Sequence, residues 1–302
     1  MRLAEHNCEI TILDNLSSGS TENIQHLLKQ TPRKAKLLKG DCTNPTHVKK
    51  ALENAEAVFH LAANPEVRLE LNDPQTCFRQ NIYATYILLQ QLKNNPTAHT
   101  IIFASTSTIY GEPETIPTPE NHAPLKPISL YGASKLASEA LISAYAYTFN
   151  KKAIIYRLAN ITDPRSTHGV IHDFIQKLKK NPKKLEILGD GSQTKSYLYI
   201  SDCIKAILLG LEKSEKHVEI YNVGSEDQIN VKTIAQIIIE ETKLKNVKLT
   251  LTGGVNGGRG WKDDVKNMLL DIGRIKSLGG EPKLNSRQAI KKDGGNTYPK
   301  KI

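Results

Sequence analysis

The 302-residue sequence predicts an α/β chain: a doubly wound parallel sheet that lacks its first strand, followed by a smaller C-terminal α/β domain. Three observations predict it. Short apolar runs rich in Ile, Leu and Val alternate with helical patterns through the first half. Such a rhythm requires parallel strands covered on both faces. Beyond about Asn160 it loosens, where Asp163-Pro164-Arg165, Asn181-Pro182 and Gly189-Asp190-Gly191 break the chain into shorter elements.

In chain order, Arg2-Leu3-Ala4-Glu5-His6 reads as the end of a helix, and Glu9 to Asp14 as the first visible strand. Further strands are expected at Ala35 to Leu38, ahead of Gly40-Asp41, then at Ala57 to Ala62, Thr100 to Ser105 and Ala153 to Leu158. A helix is expected over Pro74 to Leu92, where Ile82, Tyr86, Leu89 and Leu92 recur at helical spacing, and another over Tyr131 to Phe149. We expect one domain over 1–162 and a second mainly over 163–302. The apolar runs Tyr197 to Ile200, Ile204 to Leu211 and Glu219 to Val223 place parts of 196–224 back on the first.

Composition narrows the function. No stretch approaches the roughly 18 apolar residues of a membrane span, and the N-terminus has no apolar core before a small-residue cleavage site. Cys8, Cys42, Cys77 and Cys203 are spread without a Cys-x-x-Cys pair, which argues against a metal site or a disulfide framework and for the reducing cytoplasm. The net charge of +10 comes from 32 lysines and only 9 arginines. Dispersed lysine is a solvated surface, whereas arginine makes the bidentate contacts that bases and phosphates favour, so a small anionic substrate is expected and nucleic acid is not.

Asp14 closes the first strand, where a dinucleotide-binding unit places the acid that accepts from the adenosine ribose. Such an acid follows a Gly-rich turn by about 20 residues. The thirteen residues before Asp14 hold no glycine. Either the turn has been lost from the start of the chain, or the chain binds no nucleotide. A literal G-x-x-G-x-x-G occurs at Gly254, Gly257 and Gly260, but no acid-terminated strand follows it, and it reads as a flexible loop.

The segment Phe103-Ala104-Ser105-Thr106-Ser107-Thr108-Ile109-Tyr110-Gly111 ends a strand in a cluster of hydroxyls, and ligand crevices lie outside the carboxyl ends of such strands. Some 25 residues on comes Tyr131-Gly132-Ala133-Ser134-Lys135. At i and i+4 the tyrosine and lysine share a helix face, so the ammonium stabilises a phenolate that acts as a base. A second Tyr-x-x-x-Lys, Tyr147 with Lys151, falls at the far end of the same helix. Only the first follows the hydroxyl cluster at a suitable distance.

Taken as an ordered set, these segments resemble the extended short-chain dehydrogenase/reductases. Within them the chain is most similar to the NAD-dependent nucleotide-sugar epimerases and dehydratases, and closest to the UDP-glucose 4-epimerases. The resemblance implies a Rossmann-like fold and NAD as cofactor. Asp14-Asn15-Leu16-Ser17-Ser18-Gly19 looks like the ribose-binding segment, and Gly40-Asp41 with Cys42 like the adenine contact. Leu61, Ala62 and Ala63 after His60 match the strand passing under the cofactor, and Asn81 matches an asparagine of the next helix. Ser105 and Leu158 complete the implied cofactor set.

The same resemblance implies Thr106 as the catalytic hydroxyl, Tyr131 as the base and Lys135 as its partner, with Thr106, Ser107, Tyr131, Asn160, Lys195 and Arg259 meeting a nucleotide sugar. Lys195 stands where the family usually has arginine. Ser107 and Thr108 stand where dehydratases and decarboxylases carry an acid, which weakens a 4,6-dehydratase or UDP-glucuronate decarboxylase reading against 4-epimerisation of a glucose or N-acetylated sugar. A non-catalytic binding remnant is the reading from a different class. The resemblance also implies a homodimer through the helices at Pro74 to Leu92 and Tyr131 to Phe149.

Overall fold

The computed structural model describes residues 2–6, 8–30, 34–65 and 73–297; the Lys300-Lys301 tail lies outside them. In chain order the elements are α1 (Arg2–Glu5), β1 (Ile10–Asp14), α2 (Glu22–Gln30), β2 (Ala35–Lys39), α3 (Pro45–Ala51), β3 (Ala57–His60) and α4 (Pro74–Cys77). A π-helical turn (Phe78–Tyr83) leads into α5 (Ala84–Leu92), then β4 (Thr100–Thr106), a 3-10 turn (Ser107–Tyr110) and α6 (Leu130–Thr148). There follow β5 (Lys152–Leu158), β6 (Asn160–Thr162), α7 (Val170–Lys180), β7 (Lys184–Ile187), β8 (Thr194–Lys195), β9 (Tyr197–Tyr199), α8 (Ile200–Lys213) and β10 (Val218–Val223). Last come β11 (Ile229–Asn230), α9 (Val231–Thr242), β12 (Lys248–Leu251), β13 (Asn267–Met268), α10 (Gly273–Ser277) and α11 (Ser286–Thr297).

The chain divides into two compact units that interleave in sequence. The first holds Met1–Phe103, Ala137–Ala153 and Lys216–Val218, and the second Ala104–Leu136, Ile154–Glu215 and Glu219–Ile302. In the first unit β1 pairs with β2 and β3 with β4, both parallel, with Asp14 opposite Lys39 and His60 opposite Phe103. The parallel α/β pattern is the one the alternation predicts. The strand expected to reach Ala62 ends at His60, leaving Leu61 and Ala62 exposed at its carboxyl end. α3 starts where the sequence signals it: Pro45 sits at the first helical position and the Asn44 side chain caps the Thr46 and His47 amides.

The helix expected over Pro74 to Leu92 is continuous in path but passes through the π-helical turn, whose wider winding rotates everything after it. As a result Tyr86, which shares a stripe with Ile82 and Leu89 at regular spacing, is exposed, while Ala84, Thr85, Ile87, Leu88, Leu89 and Leu92 are buried.

In the second unit α7 buries Ile171, Phe174, Ile175 and Leu178, the i, i+3, i+4, i+7 stripe of a one-sided helix, against Leu185, Ile187, Ile234 and Ile238. β6 pairs with β9 and β7 with β12, both parallel, and β8 lies between β11 and β13. β10 lies beside β5. The apolar run at Ile204 to Leu211 is the middle of α8. The glycines at 254, 257 and 260, expected in a loop, lie about a tight hairpin in which Val255 and Arg259 exchange backbone hydrogen bonds of 3.0 and 2.8 Å. Gly254 has φ +77°, and a Cβ there would sit 2.3 Å from the Arg259 carbonyl oxygen.

Leu178 is fully buried in the α7 core, so Leu178→Ala is expected to cost about 3 kcal/mol. Urea unfolding should show a lowered midpoint at unchanged slope.

Candidate active site

At the carboxyl end of β4, Ser105, Thr106 and Ser107 are all buried. Thr106 caps the 3-10 turn, its hydroxyl accepting from the Thr108 amide at 3.2 Å and lying 3.1 Å from the Thr108 hydroxyl. That turn is tied down at its other end. The buried Tyr110 hydroxyl donates to Asn222 Oδ1 at 2.8 Å and accepts from Arg157 at 2.9 Å, and Arg157 also donates to the Glu120 carbonyl at 2.8 Å. Burial pushes the Tyr110 phenol up to about 12, with the Arg157 charge opposing the rise, so this tyrosine stays neutral and structural.

α6 brings Tyr131 and Lys135 to the same unit as Thr106. Its first turn is set by Ser129, whose hydroxyl accepts from the Gly132 amide at 3.0 Å and whose carbonyl accepts from Ala133. A Cβ on Gly132 would lie 2.8 Å from the Thr108 carbonyl oxygen, so the start of α6 rests backbone to backbone on the turn that Thr106 caps. Lys135, one helical turn after the half-buried Tyr131, is 2% exposed, which takes its ammonium out of bulk water. Sequence reasoning missed Gly132. Its signal was available, because glycine costs a helix about 1 kcal/mol against alanine and is retained where backbones approach closely.

The second Tyr-x-x-x-Lys does different work. Lys151 donates to the carbonyls of Asn95 and Ala98 at 2.7 and 2.9 Å, while Tyr147 is 68% exposed. Lys151 is a staple for the loop before β4.

In the first unit the ends of β1 and β2 meet. The Gly40 amide donates to the Asp14 carbonyl, and the Asn15 amide reaches Asp41 at 3.3 Å. Asp14 accepts from the Leu16 amide at 2.7 Å, and Gly19 backs onto its carboxylate so closely that a Cβ would stand 3.4 Å from Oδ2. The half-buried carboxylate is bordered by backbone at the end of β1, which fits the acid on the adenosine side of a dinucleotide site. Ser18 is exposed beside it. The Thr43 amide and hydroxyl hold the Asp41 carboxyl below its usual range, and the Arg79 charge adds to this. Arg79 was not singled out from the sequence, because the π-helical turn that carries it has no periodic signal. Cys42 is pushed up to about 11 by burial first, then by the charges of Asp41 and Asp14. After β3, the Asn81 side chain does not stand open: it holds both backbone groups of Asn64.

The second unit also gathers the expected substrate residues. Asn160 opens β6 two residues after Leu158 and donates to the Ser196 carbonyl at 3.3 Å. Lys195 and Arg259 converge on Asp264: Lys195 Nζ lies 2.6 Å from its carboxylate and Arg259 Nε donates to its carbonyl at 3.0 Å. Arg259 also pairs with Glu112, and the Lys195 ammonium lies 5.7 Å from the Trp261 ring centre. Both cations are thus already anchored by acids. Among the described residues no cluster of His, Cys, Asp and Glu could hold a metal ion, and no helix is long and apolar enough to cross a membrane.

Residues 1–224 match the NAD dependent epimerase/dehydratase family. A UDP-glucose 4-epimerase of Corynebacterium glutamicum is 29% identical over 256 residues, covering 80% of this chain and 75% of that protein. A crystal structure of UDP-galactose 4-epimerase superposes with a TM-score of 0.85 at 37% identity, covering 98% of this chain and 92% of that one. The UDP-glucuronic acid 4-epimerase of Bacillus cereus, solved with UDP-glucuronic acid and NAD, gives 0.86 at 26% identity, with 98% and 92% covered.

Because the Cys42 thiol ionises near pH 11, its alkylation should keep rising with pH beyond 9 instead of levelling off there. Asp41→Asn, which removes one of the two nearby negative charges, should speed it. Peptide-resolved mass spectrometry after iodoacetamide pulses reads both.

Proposed function

The chain belongs to the NAD dependent epimerase/dehydratase family, and from that premise we propose that it is a nucleotide-sugar 4-epimerase acting on a UDP-hexose or its N-acetylated analogue. The observation that supports this reading is the close approach of the first turn of α6, which carries Tyr131 and the buried Lys135, to the turn that Thr106 caps, together with the lack of an acid after Thr106. Elimination or decarboxylation needs a further acid or base at the sugar. Ser107 and Thr108 occupy those positions and supply none.

In this mechanism Tyr131, as phenolate, takes the proton of the sugar 4-hydroxyl while the Thr106 hydroxyl bonds the same oxygen. Lys135 favours the phenolate by its charge and would hold the nicotinamide ribose. NAD, the family's cofactor, would supply the acceptor and donor for the C4 hydride when bound. Asp14, Asn15, Ser18, Gly19, Asp41 and Cys42 would hold its adenosine end, and Leu61, Ala62, Ala63, Ser105 and Leu158 are the further residues that would meet it. Asn160, Lys195 and Arg259 hold the nucleotide, so that the 4-keto sugar turns over without leaving, presents the opposite face of C4 to the returning hydride, and takes its proton back on the C4 oxygen from Tyr131. Asp264 serves here by fixing where the Lys195 ammonium stands, which replaces some of the precision lost with an arginine fork. In functional terms 1–162 carries the cofactor and 163–302 mainly the nucleotide sugar.

Tyr131→Phe should lower kcat by about a thousandfold or more while leaving NAD affinity near wild type. With NAD and UDP-glucose or UDP-N-acetylglucosamine, proton NMR should show the 4-epimer at unchanged mass. Loss of water or of carbon dioxide would contradict the epimerase assignment.

We also propose a homodimer, supported by the aromatic surface of the first unit, where Phe78, Tyr83, Tyr86, Tyr147 and Phe149 are exposed on the π-helical turn, on α5 and at the end of α6. Sedimentation velocity should give a dimer that Tyr86→Glu with Tyr147→Glu converts to monomer. A wild-type monomer across the micromolar range would refute it.

A further inference from the structure

The stretch Leu61–Ala63, which the proposed function sets against NAD, leaves β3 and has no strand partner of its own. It is nevertheless fixed at both ends, and to the same piece of helix. At its start, His60 is 4% exposed and its Nε2 lies 2.8 Å from the hydroxyl of the fully buried Thr85. That hydroxyl has one proton, and its shortest contact is the 2.6 Å bond to the Asn81 carbonyl. Thr85 therefore donates to Asn81 and accepts from His60, which puts the imidazole proton on Nε2. Ser138 adds a longer bond of 3.4 Å to the same carbonyl.

At the far end of the stretch, the Asn81 side chain takes both backbone groups of Asn64. Its Oδ1 accepts from the Asn64 amide at 2.8 Å, and its Nδ2 donates to the Asn64 carbonyl at 3.2 Å. An asparagine amide in this position imitates a neighbouring strand, supplying a loop residue with the donor and acceptor that buried backbone requires. The π-helical turn makes this possible, since its extra winding brings Asn81, 2% exposed, and Thr85 onto the face that meets β3 and the loop after it.

We propose that Asn81 is a positioning residue: through the backbone of Asn64, and with the His60–Thr85 bond as the second anchor, it holds Leu61–Ala63 in the conformation that NAD meets. This inference rests on the proposed NAD-binding role and refines the part that resemblance alone gives Asn81, from contact to placement. The gain is pre-organisation, since a loop already ordered loses less freedom when the cofactor binds.

The test is calorimetric NAD binding to the full chain, paired with amide hydrogen exchange of residues 61–65 in the NAD-free protein. Asn81→Ala should raise the NAD Kd tenfold or more and speed exchange at 61–65, while kcat at saturating NAD stays within about twofold. Gln80→Ala removes only the exposed bond from the Asn64 side chain and should change none of these. Should Asn81→Ala not fold, Thr85→Val, of nearly equal volume, releases the other anchor and is expected to raise the Kd in the same way. An unaltered Kd in Asn81→Ala despite faster exchange at 61–65 would overturn the inference and leave the NAD-binding role intact. A wild-type chain that binds no NAD would overturn both, and that outcome is visible before any substitution is made.

Discussion

Position 132 admits no side chain without disturbance, and the proposed chemistry depends on that contact. A Cβ there would stand 2.8 Å from the Thr108 carbonyl oxygen, 3.0 Å from Pro127 and 3.2 Å from the Ser129 hydroxyl. The first turn of α6 can therefore lie directly on the turn after β4. Everything else near the site maintains this approach. Ser129 fixes the start of the helix, and the Tyr110–Arg157–Asn222 network fixes the far end of the turn. A strand end, a tight turn and a helix N-terminus are thus tied together by hydrogen bonds, and the proposed mechanism asks this frame to keep a base and a hydroxyl within reach of one oxygen.

Electrostatics divides the remaining labour. In the first unit burial, and after it the Asp41 and Asp14 charges, raise the Cys42 thiol, so this acidic end of β1 and β2 keeps its cysteine protonated. In the second unit Lys195 and Arg259 are held by Asp264 and Glu112, so both cations are fixed in place by neighbouring acids. The net charge of +10 belongs mostly to dispersed lysine and says little about either site.

The strand and helix rhythm was legible because buried parallel strands and one-sided helices leave period-based signatures, and α7 with its stripe at 171, 174, 175 and 178 is the clearest. Thr106, Tyr131 and Lys135 were legible as an ordered motif. The π-helical turn was not, since one extra residue in a helix leaves composition unchanged and only rotates the later turns, as the exposed Tyr86 shows. Nor were the pairings of Lys195 with Asp264 and of Arg259 with Glu112, which long-range folding brings about: Asp264 is 69 residues from Lys195 and Glu112 is 147 from Arg259. The glycine triplet at 254, 257 and 260 misleads in the opposite sense, giving the pattern of a phosphate turn where the structure builds a hairpin.

The central claim is that C4 of the sugar is oxidised and reduced again within one binding event. The most direct measurement is turnover of a nucleotide hexose deuterated at C4, in ordinary water, with the product examined by NMR. Retention of the label at C4 of the inverted sugar is the predicted result, because the hydride that leaves is the one that returns. Inversion with the label exchanged for solvent hydrogen would contradict the account, since it would mean proton abstraction at carbon instead of hydride transfer.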